Sequence, residues 1–474
     1  MNSRPISSVL VANRGEIARR VFSTCRQRGL ATVAVFSDAD ADSPHVREAD
    51  RAVRLPGVTP ADTYLRGDLV IKAAQAAGAD AIHPGYGFLS ENADFARAVQ
   101  DAGLTWIGPT PEAISVMGSK VESKQLMAEA GVPVLARLDP ENITEADLPV
   151  LVKASAGGGG RGMRVVRDLA SLPGEIESAA REAASAFGDP TVFCERYVET
   201  GRHIEVQVMG DVHGTVWALG ERECSIQRRH QKVIEEAPSP LVDRIGPHLR
   251  ESLMDASRKA AASIGYVGAG TVEFLADHDG SFFFLEMNTR LQVEHPVTEN
   301  VTGVDLVGLQ LDVAEGIRLN GEEPTLTGHS IEARLYAEDA RRDWQPQSGT
   351  LARFDVPGVA ADFGIVAPRG IRLDSGVESG SVIGVNYDAM LAKVIVTAPT
   401  RAEAARLLAN TLQRSEIQGL TTNRDLLVGI LRNPDFLAGE FDTGFFDSRP
   451  PGDLARGAAG DLTLAAVVAA LADA

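Results

Sequence analysis

The first hundred residues alternate short apolar runs with stretches whose apolar side chains recur at helical spacing. Val9–Ala12 and Thr32–Phe36 are apolar runs of strand length. Between them, Ile17, Val21 and Phe22 share one face of a helix that opens near Asn13–Glu16 and stops near Gly29. Asp80–Ile82 and Thr105–Ile107 predict two more strands, with a helix over 91–102 between them. Strand and helix in alternation predict a parallel sheet, because parallel neighbours need a crossover connection. The first turn lacks a full Gly-x-Gly-x-x-Gly, so a dinucleotide site is not supported.

From Lys120 the pattern changes. A helix is predicted to Ala130, with a stop at Gly131 and Pro133. The β-rich runs 148–155 and 163–167 flank a glycine cluster, a helix is predicted around 175–186, and strands follow near 192–195 and 203–209. A strand–loop–strand over 272–288 closes this region. A third region, about 331–447, mixes strands with a helix over 401–414. Asp447-Ser-Arg-Pro-Pro-Gly-Asp453 reads as a linker, and Leu462–Ala474 as the start of another helix, as expected of a piece of a larger protein.

Candidate chemistry concentrates after the apolar run Phe282–Leu285. If the chain stays extended through Glu286-Met-Asn-Thr-Arg-Leu-Gln-Val-Glu-His295, then Glu286, Asn288, Arg290, Gln292 and Glu294 point one way. Met287, Leu291 and Val293 then point into the core. Such a polar face is costly unless something polar binds there, and metal-bound phosphate with a small anion would satisfy it. Glu273, on a strand antiparallel to this one, would lie close to Glu286. Two carboxylates that repel each other favour a hard cation such as Mg2+, and Asn288 can complete the set.

Lys153-Ala-Ser-Ala-Gly-Gly-Gly-Gly-Arg-Gly162 sits between two strands, where backbone N–H groups can approach phosphate closely. A strand follows the loop and Gly-Lys-Ser/Thr is missing, which excludes a Walker A loop. A mobile lid over a nucleotide fits, with Lys153 and Lys120 as phosphate contacts. Glu195, after an apolar strand, is placed to hold adenine and ribose. Arg222–Lys232 gathers basic side chains and His230 in a short run, which in this acidic chain reads as an anion site.

Composition narrows the classes. At 474 residues about three domains are expected. A net charge of -19 argues against a nucleic-acid partner. No apolar run is long enough to span a bilayer, and the N-terminus has no signal-peptide pattern. Cys25, Cys194 and Cys224 are few and far apart, which predicts reduced thiols in the cytoplasm.

Together these stretches resemble the biotin carboxylase component of biotin-dependent carboxylases, in the ATP-grasp superfamily. The likeness runs from Val9 to about Asp447 and includes Val11-Ala-Asn-Arg-Gly-Glu-Ile17, His83-Pro-Gly-Tyr-Gly-Phe-Leu-Ser-Glu-Asn92, Lys153–Met163, Gln227-Arg-Arg-His-Gln-Lys232 and Glu286–His295. The resemblance implies an ATP-grasp fold, α/β and α+β, in four parts. These are a Rossmann-like parallel-sheet domain (1–118), an ATP-grasp domain (119–325) with a glycine-rich lid subdomain at about 133–203, a mixed α+β C-terminal domain (326–447), and a linker with the start of a further segment (448–474).

It also implies a reaction. ATP phosphorylates bicarbonate to carboxyphosphate, and the carboxyl group moves to N1′ of biotin. ATP would contact Lys120, Lys153, Gly158, Gly159, Gly160, Glu195, Val198, His203, Gln227 and His230. Glu273, Glu286 and Asn288 would hold Mg2+ or Mn2+. Lys232, Arg290, Gln292 and the backbone at Val293 would bind bicarbonate, with Glu294 as general base. Arg334 would stabilise the biotin enolate. No Met-Lys-Met occurs, so a biotin carboxyl carrier domain and a carboxyltransferase are expected downstream or on other chains, and a homodimer is possible. The alternatives are another ATP-grasp ligase, such as a carbamoyl-phosphate synthase half, and a nonenzymatic nucleotide-binding relative. Only the first reading accounts for Arg290, Gln292, Glu294 and Arg334 together.

Overall fold

The computed structural model describes residues 5–155, 163–199, 201–229 and 231–456. The glycine cluster, His230 and the proposed C-terminal helix therefore lie outside the described residues.

The N-terminal part is a five-stranded parallel sheet in the order Arg51–Arg54, Ala31–Phe36, Ser8–Val11, Ala81–His83, Thr105–Trp106. The apolar runs are its strands, and Val9, Leu10 and Val11 are fully buried because helices cover both faces. The first helix, Gly15–Gln27, buries Ile17, Val21, Phe22 and Cys25 on the sheet. The chain passes Arg28 and leaves the helix at Gly29, whose φ of +69° suits glycine. Strand order reverses between Ser8–Val11 and Ala81–His83. At such a switch point the loops after the two strands diverge and leave a crevice. Asn13 spans it, donating from Nδ2 to the carbonyls of Pro84 (2.9 Å) and Tyr86 (2.7 Å). Gly85 is required there, since a Cβ would sit 2.9 Å from the Asn13 amide nitrogen.

The remainder is dominated by a nine-stranded, largely antiparallel sheet. Its order is Phe282–Asn288, Gly268–Ala276, Arg202–Gly210, Val216–Arg228, Gln231–Ala237, His329–Tyr336, Met390–Ala398, Gly370–Ser375, Ala361–Asp362. The sheet runs without a break from the middle third of the chain into the last, through the pairing of Gln231–Ala237 with His329–Tyr336. Helix Arg401–Arg414, capped by the Thr400 hydroxyl, packs Leu408 and Leu412 into the core behind the later strands. A smaller four-stranded sheet stands apart: Arg137–Leu138, Val192–Arg196, Val150–Ala154, Arg164–Val166. Helix Leu172–Phe187 covers it, and Val150, Val152, Val166 and Cys194 form its own core.

Candidate active site

A cavity of about 1110 Å³ opens between the switch point of the parallel sheet, the nine-stranded sheet and the small four-stranded sheet. A single small ligand usually occupies roughly 300–1,000 Å³, so this space suits a nucleotide together with further substrates.

Lys120 opens helix Lys120–Glu129, whose first turn is capped by the Ser119 hydroxyl accepting from the Glu122 N–H. Burial lowers its pKa, offset in part by Glu286. Lys153 lies in strand Val150–Ala154, buried, with its ammonium 3.4 Å from one oxygen of Glu195. The other oxygen of Glu195 accepts from Lys124, which sequence reasoning passed over. Burial, and then the nearby Lys153 charge, bring Lys124 down to about 8. Two lysines thus occupy the Glu195 carboxylate. Val198 and Gln227 line the cavity beside it. Gly158, Gly159, Gly160 and His230 are outside the described residues.

Glu273 and Glu286 face each other directly in the pairing of Gly268–Ala276 with Phe282–Asn288. The strand carries a bulge at this point, so that Leu285 and Glu286 both line the cavity while Phe284 is fully buried. Glu273 is surrounded by donors: Asn288 Nδ2 at 2.7 Å, Gln292 Nε2 at 3.1 Å, Lys232 Nζ at 3.2 Å and His203 Nε2 at 2.8 Å. Burial would raise its pKa, but Lys232 and His203 outweigh that and hold the carboxyl below its ordinary value. Glu286 is raised instead, by burial and then by Glu273. Protein cations more than compensate one carboxylate, whereas Lys120 offsets the burial of its neighbour only in part. A hard divalent cation at this pair fits the donor set, with the Asn288 Oδ1, which here accepts from Arg290 at 3.0 Å, as a further oxygen.

Lys232 is the hub of the site. Its ammonium donates to Glu205 (2.5 Å), Glu294 (2.6 Å) and Glu273 (3.2 Å). Burial alone would lower its pKa, yet these carboxylates push it well above normal. Glu205 is shared with the fully buried Arg222, 2.5 Å away. Arg334 lies 2.9 Å from the other oxygen of Glu294 and 2.5 Å from Glu235. Glu294 is fully buried, behind Lys232 and Arg334, which line the cavity themselves. Burial would raise Glu294, but Lys232, Arg334 and Arg222 hold it well below the usual carboxylate range. It is ionised and, while both cations stay on it, weakly basic. Arg290 donates to Glu91 (2.9 Å), Gln292 (2.9 Å) and Asn288 (3.0 Å).

Two readings of the sequence need correction. The polar face over 286–294 does not arise from one extended strand. The strand ends at Asn288 and a helix begins at His295, so Arg290, Gln292 and Glu294 are placed by an irregular turn. Val293 accordingly lies at the cavity rather than in the core, whereas Met287 and Leu291 are buried. The run Arg222–Lys232 is not one basic patch either. It spans a hairpin of irregular register: Arg222 is buried against Glu205, Arg228 and Arg229 approach Asp343, and Gln227, Gln231 and Lys232 line the cavity. Glu91, Lys124, Glu205 and Glu235 were not foreseen. Glu91 lies within the His83–Asn92 stretch, and Glu205 follows His203 at the alternation of its strand. No local signal marks Lys124 or Glu235.

Known proteins are similar to this chain along most of its length. The chain matches the family models "Biotin carboxylase, N-terminal domain" over residues 5–114, "Carbamoyl-phosphate synthase L chain, ATP binding domain" over 119–322 and "Biotin carboxylase C-terminal domain" over 332–448. It is 47% identical to a biotin carboxylase of Halalkalibacterium halodurans, over 92% of this chain and 96% of that one. It is 46% identical to the mitochondrial methylcrotonoyl-CoA carboxylase subunit alpha of Dictyostelium discoideum, over 93% of this chain but only 63% of that subunit's length. Among solved structures, the biotin carboxylase domain dimer of Hydrogenobacter thermophilus 2-oxoglutarate carboxylase, in complex with MgADP, ADP and bicarbonate, superposes with a TM-score of 0.87. It shares 44% identity and covers 95% of this chain and 99% of that chain. Fold and site define an ATP-grasp ligase. Within that class the chain belongs to the biotin carboxylase family, the ATP-dependent enzymes of the first half-reaction of biotin-dependent carboxylases.

Proposed function

We propose that this chain carboxylates biotin on a biotin carboxyl carrier domain, using ATP and bicarbonate, and hands the product to a carboxyltransferase. The observation that carries the reading is the buried constellation of Lys232, Glu294 and Arg334 beside the facing carboxylates Glu273 and Glu286. An anion site, a base and a guanidinium adjoin a metal–phosphate site, as a reaction joining phosphate, bicarbonate and a ureido group requires.

Lys120, Lys153 and His203 hold the ATP phosphates, with Glu195, Val198 and Gln227 at the base and ribose. Glu273, Glu286 and Asn288 hold Mg2+ or Mn2+, which when bound neutralises charge on the transferring phosphoryl group. Lys232, Arg290, Gln292 and the Val293 N–H bind bicarbonate. Glu294 removes its proton. The anion draws Lys232 off Glu294, and biotin's ureido oxygen draws Arg334. Each departure relieves Glu294 of a neighbouring cation and makes it a stronger base when it is needed. A carbonate oxygen then attacks the γ-phosphorus and ADP leaves, giving carboxyphosphate. The departing phosphate takes the N1′ proton as its bond to the carboxyl carbon breaks, N1′ forms its bond to that carbon, and Arg334 stabilises the enolate oxygen.

The domain bounds drawn from the sequence are proposed for the whole chain, with homodimerisation as a further expectation. The buried, unpaired Cys25, Cys194 and Cys224 support a reducing, cytoplasmic setting. Among the described residues no helix is long and apolar enough to cross a membrane. The test is ADP release with Mg-ATP and bicarbonate, with and without free biotin. Bicarbonate-dependent turnover stimulated by biotin is expected, and turnover indifferent to biotin points to another ATP-grasp ligase.

A further inference from the structure

Between the strand ending at Asn288 and the helix beginning at His295, no backbone ladder holds the chain. This segment nevertheless carries the Val293 amide assigned above to bicarbonate. Two buried side chains fix the peptide planes on either side of Val293.

The Gln292 carbonyl accepts from the ring Nδ1 of His295 at 2.7 Å, and from the His295 backbone N–H at 3.3 Å. A carbonyl only accepts, so Nδ1 carries the proton. The ring is neutral, held so by burial and then by the Lys393, Arg20 and Arg372 charges, and its Nε2 is buried without a hydrogen-bond partner among the described residues. The next carbonyl, that of Val293, accepts from Lys393 Nζ at 2.6 Å. Lys393 is itself buried on strand Met390–Ala398 and anchored 3.6 Å from Asp374, which is tied to Arg372 by two bonds of 2.8 and 2.9 Å.

The consequence follows from the peptide group. In a planar trans peptide the C=O and N–H point in opposite directions. Drawing the Gln292 carbonyl onto His295 therefore turns the Val293 N–H the other way, to the side where Val293, Gln292 and Arg290 line the cavity. Lys393 fixes the following plane, so the Val293 residue cannot rotate about its flanking bonds without breaking a buried bond.

We propose that His295 and Lys393 are positioning residues that aim the Val293 amide at the bicarbonate. Neither touches the substrate. The proposal rests on the bicarbonate assignment above, and the experiment separates the two. Steady-state ADP release is measured against bicarbonate and against ATP for the full chain and for Arg290→Ala, His295→Leu, His295→Asn, His295→Gln, Lys393→Met and Lys393→Arg. Asparagine places an amide donor near the position of Nδ1, and glutamine places one near Nε2. His295→Leu, His295→Gln and Lys393→Met should raise the KM for bicarbonate about tenfold, the scale of one hydrogen bond, with the KM for ATP within about twofold. His295→Asn and Lys393→Arg should recover most of the loss. Equal behaviour of the asparagine and glutamine variants overturns the His295 role even if the leucine variant does not fold. Parallel rises in both KM values indicate general damage and overturn the proposal. If Arg290→Ala raises the KM for bicarbonate while the His295 and Lys393 variants do not, only the proposal falls. If Arg290→Ala leaves it unchanged, the bicarbonate assignment falls, and the proposal with it.

Discussion

Replacing Glu294 with glutamine separates chemistry from structure at the centre of the site. Glu294 accepts from Lys232 at 2.6 Å and from Arg334 at 2.9 Å. A hydrogen bond to a charged group contributes about 1.5–3 kcal/mol; the single amide oxygen of glutamine keeps one of the two contacts, and its NH2, a donor, loses the other, at about 2 kcal/mol. Neither cation is stranded, because Lys232 keeps Glu205 and Glu273 and Arg334 keeps Glu235. The folding cost should therefore stay near 2 kcal/mol in order of magnitude. Loss of a general base removes about 10²–10⁴ in rate, or about 3–5.5 kcal/mol of transition-state stabilisation. Biotin-dependent ADP release should fall by that factor while Mg-ATP binding, followed by calorimetry, is retained. The reasoning is refuted if the variant turns over within about threefold of the wild type, or if nucleotide binding falls in step with activity.

Other expectations follow from the same geometry. Glu286→Gln should abolish the Mg2+-dependent part of the thermal stabilisation by ATP, which is about 2.7 kcal/mol for a ligand at a hundred times its Kd, and leave the metal-independent part. A full Mg2+ effect in that variant would remove Glu286 from the metal site. Glu236 is held down to about 2 because Arg401 and His329 outweigh the effect of burial. A lowered carboxyl stabilises the fold above its unfolded value and loses that contribution as pH falls through the folded one. Unfolding scans should thus show Glu236→Gln less stable at pH 7 by about 3 kcal/mol, with the gap closing as pH falls from about 4.5 toward 2. Phe284→Ala, at a fully buried position behind the carboxylate strand, should cost about 3–5 kcal/mol in chemical denaturation. Lys124→Met should weaken ATP binding with little change in the KM for bicarbonate, since it removes one counter-ion of Glu195 and frees that carboxylate to hold Lys153.

Much of the fold is legible along the chain because its signals are local. Apolar runs of strand length, the helical face of Ile17, Val21 and Phe22, and the glycine stop at Gly29 each depend on a few adjacent residues, and the elements form where those signals lie. The approach of Glu273 to Glu286 could also be read, since a short connection between antiparallel strands forces it. The residue types of the site, with Lys232, Arg290, Gln292, Glu294 and Arg334 among them, are likewise in the sequence.

Tertiary structure alone decided how those residues meet. Side-chain alternation predicts a single face only while a strand continues, and this one stops at Asn288, so the turn to His295 sets the positions of Arg290, Gln292 and Glu294. The partners that tune the charges come from far along the chain: Glu91 for Arg290, Glu205 for Lys232, Glu235 for Arg334, Lys393 for the Val293 carbonyl. Each of those carboxylates and amines, read in place, is an ordinary polar residue on a strand or in a loop. Burial in one low-dielectric cluster gives them their effect, because a charge removed from water responds to every neighbour within a few ångströms, and sheet order and register choose those neighbours.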